Sequence, residues 1–211
     1  ELPKGQKIKE PKTLDPKLVR GCYSETKAIA TQMVLDAVQK QNLDASVIYP
    51  SGICGPNDFA FTFIPSFIIN YVTGKMPAGV AGSFNSVDVR DLANGVIACA
   101  DKGGKGEGYI LSNYYVSIKE LFAIISKYAH CPEVKIILPI PIARVIAFIS
   151  ETAARLQKKS TMFTTFSIYN LARNNDFDSS KAAQELGFQC RPFEETIADT
   201  VVWLQKEGKI K

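Results

Sequence analysis

Tyr23 and Lys27 stand four residues apart in a stretch, 22–41, that contains neither Pro nor Gly. Apolar or small residues recur at 22, 26, 29, 30, 33, 34 and 37, a spacing that predicts a helix. Residues four apart share a helix face, so the phenol and the amine are brought together. Such a pair is a proton-transfer device, because a nearby cation favours the phenolate and lets a phenol exchange its proton near working pH. The bare pattern is common, and Tyr71–Lys75 and Tyr115–Lys119 repeat it. In the first, Gly74 reads as a helix stop that leaves Lys75 beyond the end. In the second, Ser117 and Glu120 read as a capping box, so Tyr115 precedes the helix and points elsewhere. Only Tyr23–Lys27 lies within one uninterrupted helix. Taken alone, even that pair is also compatible with a half-buried Tyr beside a solvated Lys.

The elements that must position the pair follow directly. After Asn42, the run Ala45-Ser-Val-Ile-Tyr49 has the length and β-branching of a buried strand. It ends in the turn-rich loop Pro50-Ser-Gly-Ile-Cys-Gly-Pro-Asn-Asp58. Helix, buried strand and glycine loop make an α/β crossover pattern, and in such sheets ligands sit at the carboxyl ends of the strands. An aromatic-rich helix is expected over 59–73, a strand over 83–89, and a helix capped by Asp91 that runs to about Asp101. The glycines of 103–108 fit no dinucleotide fingerprint and stand between a helix and a strand, so they read as a turn. Strands at 109–111 and 134–138 and helices at 118–129, 162–173, 179–186 and 192–206 are expected beyond it. Helix 141–158 carries an apolar stripe at 142, 145, 146, 149, 153 and 156, which is expected to pack on the body of the domain. Residues 1–19, with three prolines, read as an irregular surface segment.

At 211 residues and 46% hydrophobic, the chain has enough apolar side chains for a substantial core. Its charge of +4, from 25 basic and 21 acidic residues, is spread along the chain, and only Lys4 to Lys17 is locally basic, without interleaved aromatics, so no nucleic-acid partner is expected. Five widely spaced cysteines without a Cys-x-x-Cys pair read as reduced thiols of a cytoplasmic protein, with no metal site. His130 is the lone histidine and falls at a helix end, where a capping role is expected. No apolar run reaches the ~18 residues that span a bilayer, and no membrane partner is expected.

Three groups of residues together resemble the extended short-chain dehydrogenase/reductase family. They are Tyr23-Ser-Glu-Thr-Lys27-Ala, the Pro50–Asp58 loop, and Val87-Asp-Val-Arg-Asp91-Leu-Ala. The tail from Asn175-Asp-Phe-Asp-Ser-Ser-Lys through Arg191-Pro-Phe to Trp203-Leu204 fits the dihydroflavonol-reductase-like branch of its NAD-dependent epimerases/dehydratases. The resemblance implies an α/β fold: the C-terminal part of a Rossmann-type doubly wound parallel sheet plus a mostly helical substrate domain. Residues 1–56 and 83–130 would belong to the Rossmann-type part, and 57–82 and 131–211 to the substrate-binding region. Tyr23 would be the general acid of carbonyl reduction, and Lys27 would tune it and hydrogen-bond the nicotinamide ribose. Pro50, Ser51, Gly52 and Ile53 would line the nicotinamide of NADP or NAD, while Asn57, Phe59, Phe63 and Arg90 would face the substrate.

The family's opening strand, glycine-rich turn and strand-end Ser or Thr have no counterpart here, so the chain reads as the C-terminal part of a larger reductase. As such it is expected to be catalytically silent alone, and to self-associate or to pair with a complementary N-terminal segment. The substrate expected is a small apolar or aromatic ketone or aldehyde, since 59–72 holds no Lys or Arg. A nucleotide-sugar epimerase or dehydratase, and a non-catalytic NAD(P)-sensing scaffold, are the alternatives on the same fold.

Overall fold

The computed structural model describes residues 2–3, 5–11, 13–159, 161 and 163–211. A single 3-10 turn, Pro16–Leu18, leads into α1 (Cys22–Gln41), which Asn42 ends in the left-handed conformation, φ 59°. There follow β1 (Val47–Pro50), β2 (Gly52–Cys54), α2 (Phe63–Val72), β3 (Gly79–Val80), β4 (Ser83–Asp88) and α3 (Val89–Lys102). The second half runs β5 (Gly108–Leu111), β6 (Tyr114–Ser117), α4 (Ile118–Ala129) and β7 (Ile137–Leu138). It closes with α5 (Ile140–Leu156), α6 (Thr165–Ala172), α7 (Ser180–Leu186) and α8 (Phe193–Lys206).

Parallel pairing dominates: β1 lies beside β5 with Tyr49 opposite Ile110, β2 beside β4, and β3 beside β7. Each such pair needs a crossover, and the intervening helices supply it. Only β6 runs antiparallel, against β4. The result is an α/β fold of Rossmann type. Among the described strands β1 pairs on one side only. No helix of the described residues is long and apolar enough to cross a membrane.

Three apolar clusters hold these layers. The largest joins Ile64, Phe67, Ile68 and Tyr71 of α2 to Leu121, Phe122 and Ile125 of α4 and to Ile197, Val201 and Leu204 of α8. Each fully buried side chain of this size contributes about 1.5–3 kcal/mol. A second cluster sets Val87, Leu92, Tyr109 and Leu111 against Leu186 and Phe188. There α3 lies so close to β5 that a Cβ on Gly95 would come within 2.8 Å of Leu111. The third is small: Val80, Ala143, Ala147 and Ile168.

Several expectations are corrected. The aromatic helix starts at Phe63 rather than 59, because Asp58 accepts hydrogen bonds from the backbone N–H and the hydroxyl of Thr62 and closes a turn. Its Phe67 and Tyr71 face the core. Part of the glycine loop is strand β2, and the residues before α4 are strand β6. Asp88, not Asp91, caps α3, accepting from the Arg90 N–H at 2.8 Å. Asp91 is buried and takes Arg191 instead. The stripe on α5 does not pack inward: Ala143 and Ala147 face the body, and Ile142, Val145, Ile146, Phe148, Ile149 and Leu156 are exposed.

Candidate active site

Helix α1 carries Tyr23 and Lys27 as their spacing requires. The Lys27 Nζ stands 5.7 Å from the centroid of the Tyr23 ring. Both side chains are exposed, Tyr23 to 73%. Neither polar head is hydrogen-bonded to another described residue, so the pair is open to a ligand. Of the whole helix only Ala28 is buried, and Ile29, Met33 and Val34 face outward.

The loop after β1 is fixed at several points. The Ser51 N–H donates to the Leu111 carbonyl at 3.1 Å, and Gly52 and Ile53 pair with Ser86 and Val87. Glycine is required at 52 because a Cβ there would meet the Asn85 carbonyl at 2.8 Å. Gly55 has φ 139°, and Asn57 φ 70°. The Ser51 hydroxyl is buried with no hydrogen-bond partner. A hollow of about 250 Å³ opens at Tyr49, Pro50 and Ser51 on one side of the loop. On the other, Ile53, Gly55, Asn57, Thr62 and Val89 bound a hollow of about 330 Å³. Tyr23 and Lys27 line neither hollow, and nor do Phe59, Phe63 and Arg90.

Phe59 and Phe63 are exposed. Phe59 meets Trp203 edge-on at 5.6 Å, and Phe61 stacks on the same indole at 5.7 Å. Trp203 on α8 is thus the platform of this aromatic group, a role the sequence did not signal because it lies more than a hundred residues away. Arg90 does not sit as a substrate contact would. Three of its five donors are committed: two to Asp88 at 2.9 and 2.7 Å and one to Asp199 at 2.7 Å. These carboxylates make the half-buried Arg90 a bridge between α3 and α8.

The model of the NAD-dependent epimerase/dehydratase family matches residues 1–112. The chain belongs to that family. It is 30% identical over 195 residues to a putative dihydroflavonol 4-reductase of Synechocystis, covering 90% of this chain and 57% of the relative. It is 28% identical over 191 residues to sterol demethylase protein B of Methylococcus capsulatus, covering 89% of this chain and 58% of the relative. The crystal structure of gox2253 superposes with TM-score 0.81 at 29% identity, over 98% of this chain and 63% of that one. The NAD complex of dTDP-glucose 4,6-dehydratase from Bacillus anthracis, 19% identical at TM-score 0.73, shares the fold. This epimerase/dehydratase-family chain therefore spans less than two thirds of the relatives it matches.

The polar groups left open on α1 and in the loop after β1 are of the kind a dinucleotide takes. A free ammonium and phenol on α1 suit ribose hydroxyls, and the orphaned Ser51 hydroxyl is a buried polar group still lacking a partner.

Proposed function

We propose that the whole protein is an NAD(P)-dependent oxidoreductase that exchanges hydride with an apolar, ring-bearing ketone, aldehyde or secondary alcohol. NADP or NAD, when bound, supplies or accepts the hydride. The protein's part is the proton. Tyr23 donates its phenolic proton to the carbonyl oxygen as the alcohol forms, and takes it back in the reverse direction. Lys27, one turn along the same face, stabilises the phenolate and holds the ribose. Pro50, Ser51, Gly52 and Ile53 flank the nicotinamide, with residues 1–56 and 83–130 on the cofactor side. Residues 57–82 and 131–211 serve the substrate, with Asn57, Phe59 and Phe63 nearest it.

The observation that carries this reading is the Tyr23–Lys27 pair, adjacent on one helix face with both polar heads unengaged. The apolar substrate is supported by the lack of Lys and Arg through 59–72 itself, where the one cation recorded against the stretch is Lys209, 4.6 Å from the Phe61 ring. It is supported too by relatives named for sterols and dihydroflavonols. By itself the 211-residue chain is proposed to bind dinucleotide weakly. The open edge of β1 and the outward Ile29, Met33 and Val34 are surfaces that a complementary segment or second copy would cover.

The test is NADPH- and NADH-dependent reduction of aromatic aldehydes and cyclic ketones by the whole protein. Tyr23→Phe should lower kcat about 10²–10⁴-fold without changing the melting temperature. Full activity in that variant refutes the proposal. Turnover of a nucleotide sugar, with none of the carbonyl compounds, assigns the site to epimerisation or dehydration instead.

A further inference from the structure

We propose that the solvent face of α5 docks flat on an anionic lipid surface. A helix on the surface of a protein ordinarily turns its large apolar side chains inward, and α5 does the reverse. Its inward positions are the small Ala143 and Ala147, both fully buried. Val145 (61% exposed), Phe148 (65%), Ile149 (60%) and Leu156 (81%) point to solvent, with Ile142 and Ile146 beside them. Positions 142, 145, 149 and 156 recur at helical spacing, so they form one continuous apolar strip along the helix.

Charge selects the occupant. Over 140–159 the charged residues are Arg144, Arg155, Lys158 and Lys159 against Glu151. The four cations are exposed. The one acid is turned towards α6, where it accepts from the Thr165 N–H at 3.1 Å and the Thr165 hydroxyl at 2.9 Å. What faces outward is therefore an apolar strip rimmed by positive charge, the pattern that lies in the headgroup layer of an anionic leaflet. A protein partner or a second copy of this chain would have to leave those cations unpaired or bring acids to meet them. The location is also apt: Phe166 of α6, the helix packed against α5, lies 3.5 Å from where a Cβ of Gly21 would stand, two residues before Tyr23. This inference replaces the expectation of no membrane contact, which rested on the lack of a spanning run. It does not depend on the reaction proposed above.

The experiment is flotation of the full chain with phosphatidylcholine vesicles and with vesicles containing phosphatidylglycerol. Partition should occur on the anionic vesicles and weaken with salt. Lys158→Ala and Lys159→Ala should each reduce it about fivefold, the factor for one cation at such a surface. Phe148→Glu with Ile149→Glu should abolish it, and exposure of both side chains lets circular dichroism confirm an unchanged fold. No partition on either vesicle, or partition indifferent to these variants, overturns the proposal. So does a dimer in free solution that Phe148→Glu dissociates while vesicles remain unbound.

Discussion

Arg90 spans two carboxylates more than a hundred residues apart, gripping Asp88 through two nitrogens and Asp199 of α8 through a third. The Asp88 side chain is wholly buried and also caps α3. Removing one partner of a buried charge pair leaves the other uncompensated, which is costly. The Arg191 Nε, 3.6 Å from Asp88, remains as partial relief. Arg90→Ala is therefore expected to lower stability by about 2–4 kcal/mol in urea unfolding. Arg90→Lys should recover only part, because an ammonium cannot fork across a carboxylate.

The same network sets the response to acid. Burial alone would raise the Asp88 pKa, but the Arg90 hydrogen bonds outweigh it and hold the carboxyl below its usual range. A carboxylate depressed in the folded state adds stability that is complete above its unfolded pKa, about 3.9. That contribution is given up as pH falls through the folded value. Melting temperature should thus hold steady down to about pH 5 and fall steeply below about pH 4. Arg90→Ala should start lower and show a shallower acid limb. An equally steep limb in that variant would assign the acid response to other carboxylates.

Gly52→Ala tests the loop after β1. A Cβ there would sit 2.8 Å from the Asn85 carbonyl, a backbone atom that cannot swing aside. The β2–β4 pairing must open to admit it, at about 1–3 kcal/mol. In the whole protein the proposal adds a weaker KM for the dinucleotide with the substrate KM little changed. Wild-type stability together with wild-type cofactor KM would show that the loop is neither tight nor in contact.

How much of this was legible in the sequence depends on how local each cause is. The helices α1 and α4 match their periodicity, and Gly74, Gly187 and His130 all take the left-handed conformation expected of helix ends. Strand β2 was illegible, since three residues among Pro and Gly become a strand only through pairing with Ser86 to Asp88. The cap of α3 was misplaced because Asp88 and Asp91 are three apart and either could cap. Burial decided between them by giving Asp91 to Arg191. On α5 the period located the stripe but carries no information about which side the fold covers. The Tyr23–Lys27 pair was visible because both residues lie on one helix. The Trp203 platform and the Arg90 bridge were not, because their partners come from α8.

Thiol reactivity reads the burial pattern independently. All five cysteines are free. Burial, reinforced by the Asp88 carboxylate, pushes the Cys54 thiol up to about 12. Burial with Asp91 and Asp88 does the same at Cys190, also to about 12. At pH 8 only about one such thiol in ten thousand is the reactive thiolate. Cys22 is exposed at the first turn of α1, beside Tyr23. A maleimide pulse on the native chain, mapped by peptide mass spectrometry, should label Cys22 first and leave Cys54 and Cys190 unmodified until denaturant is added. In the whole protein bound dinucleotide should slow formation of the Cys22 adduct, one residue from the proposed phenol. Labelling of Cys54 at the rate of Cys22 would mean that β2 separates from β4 in the native state, and the loop that flanks the proposed nicotinamide would then not be preformed.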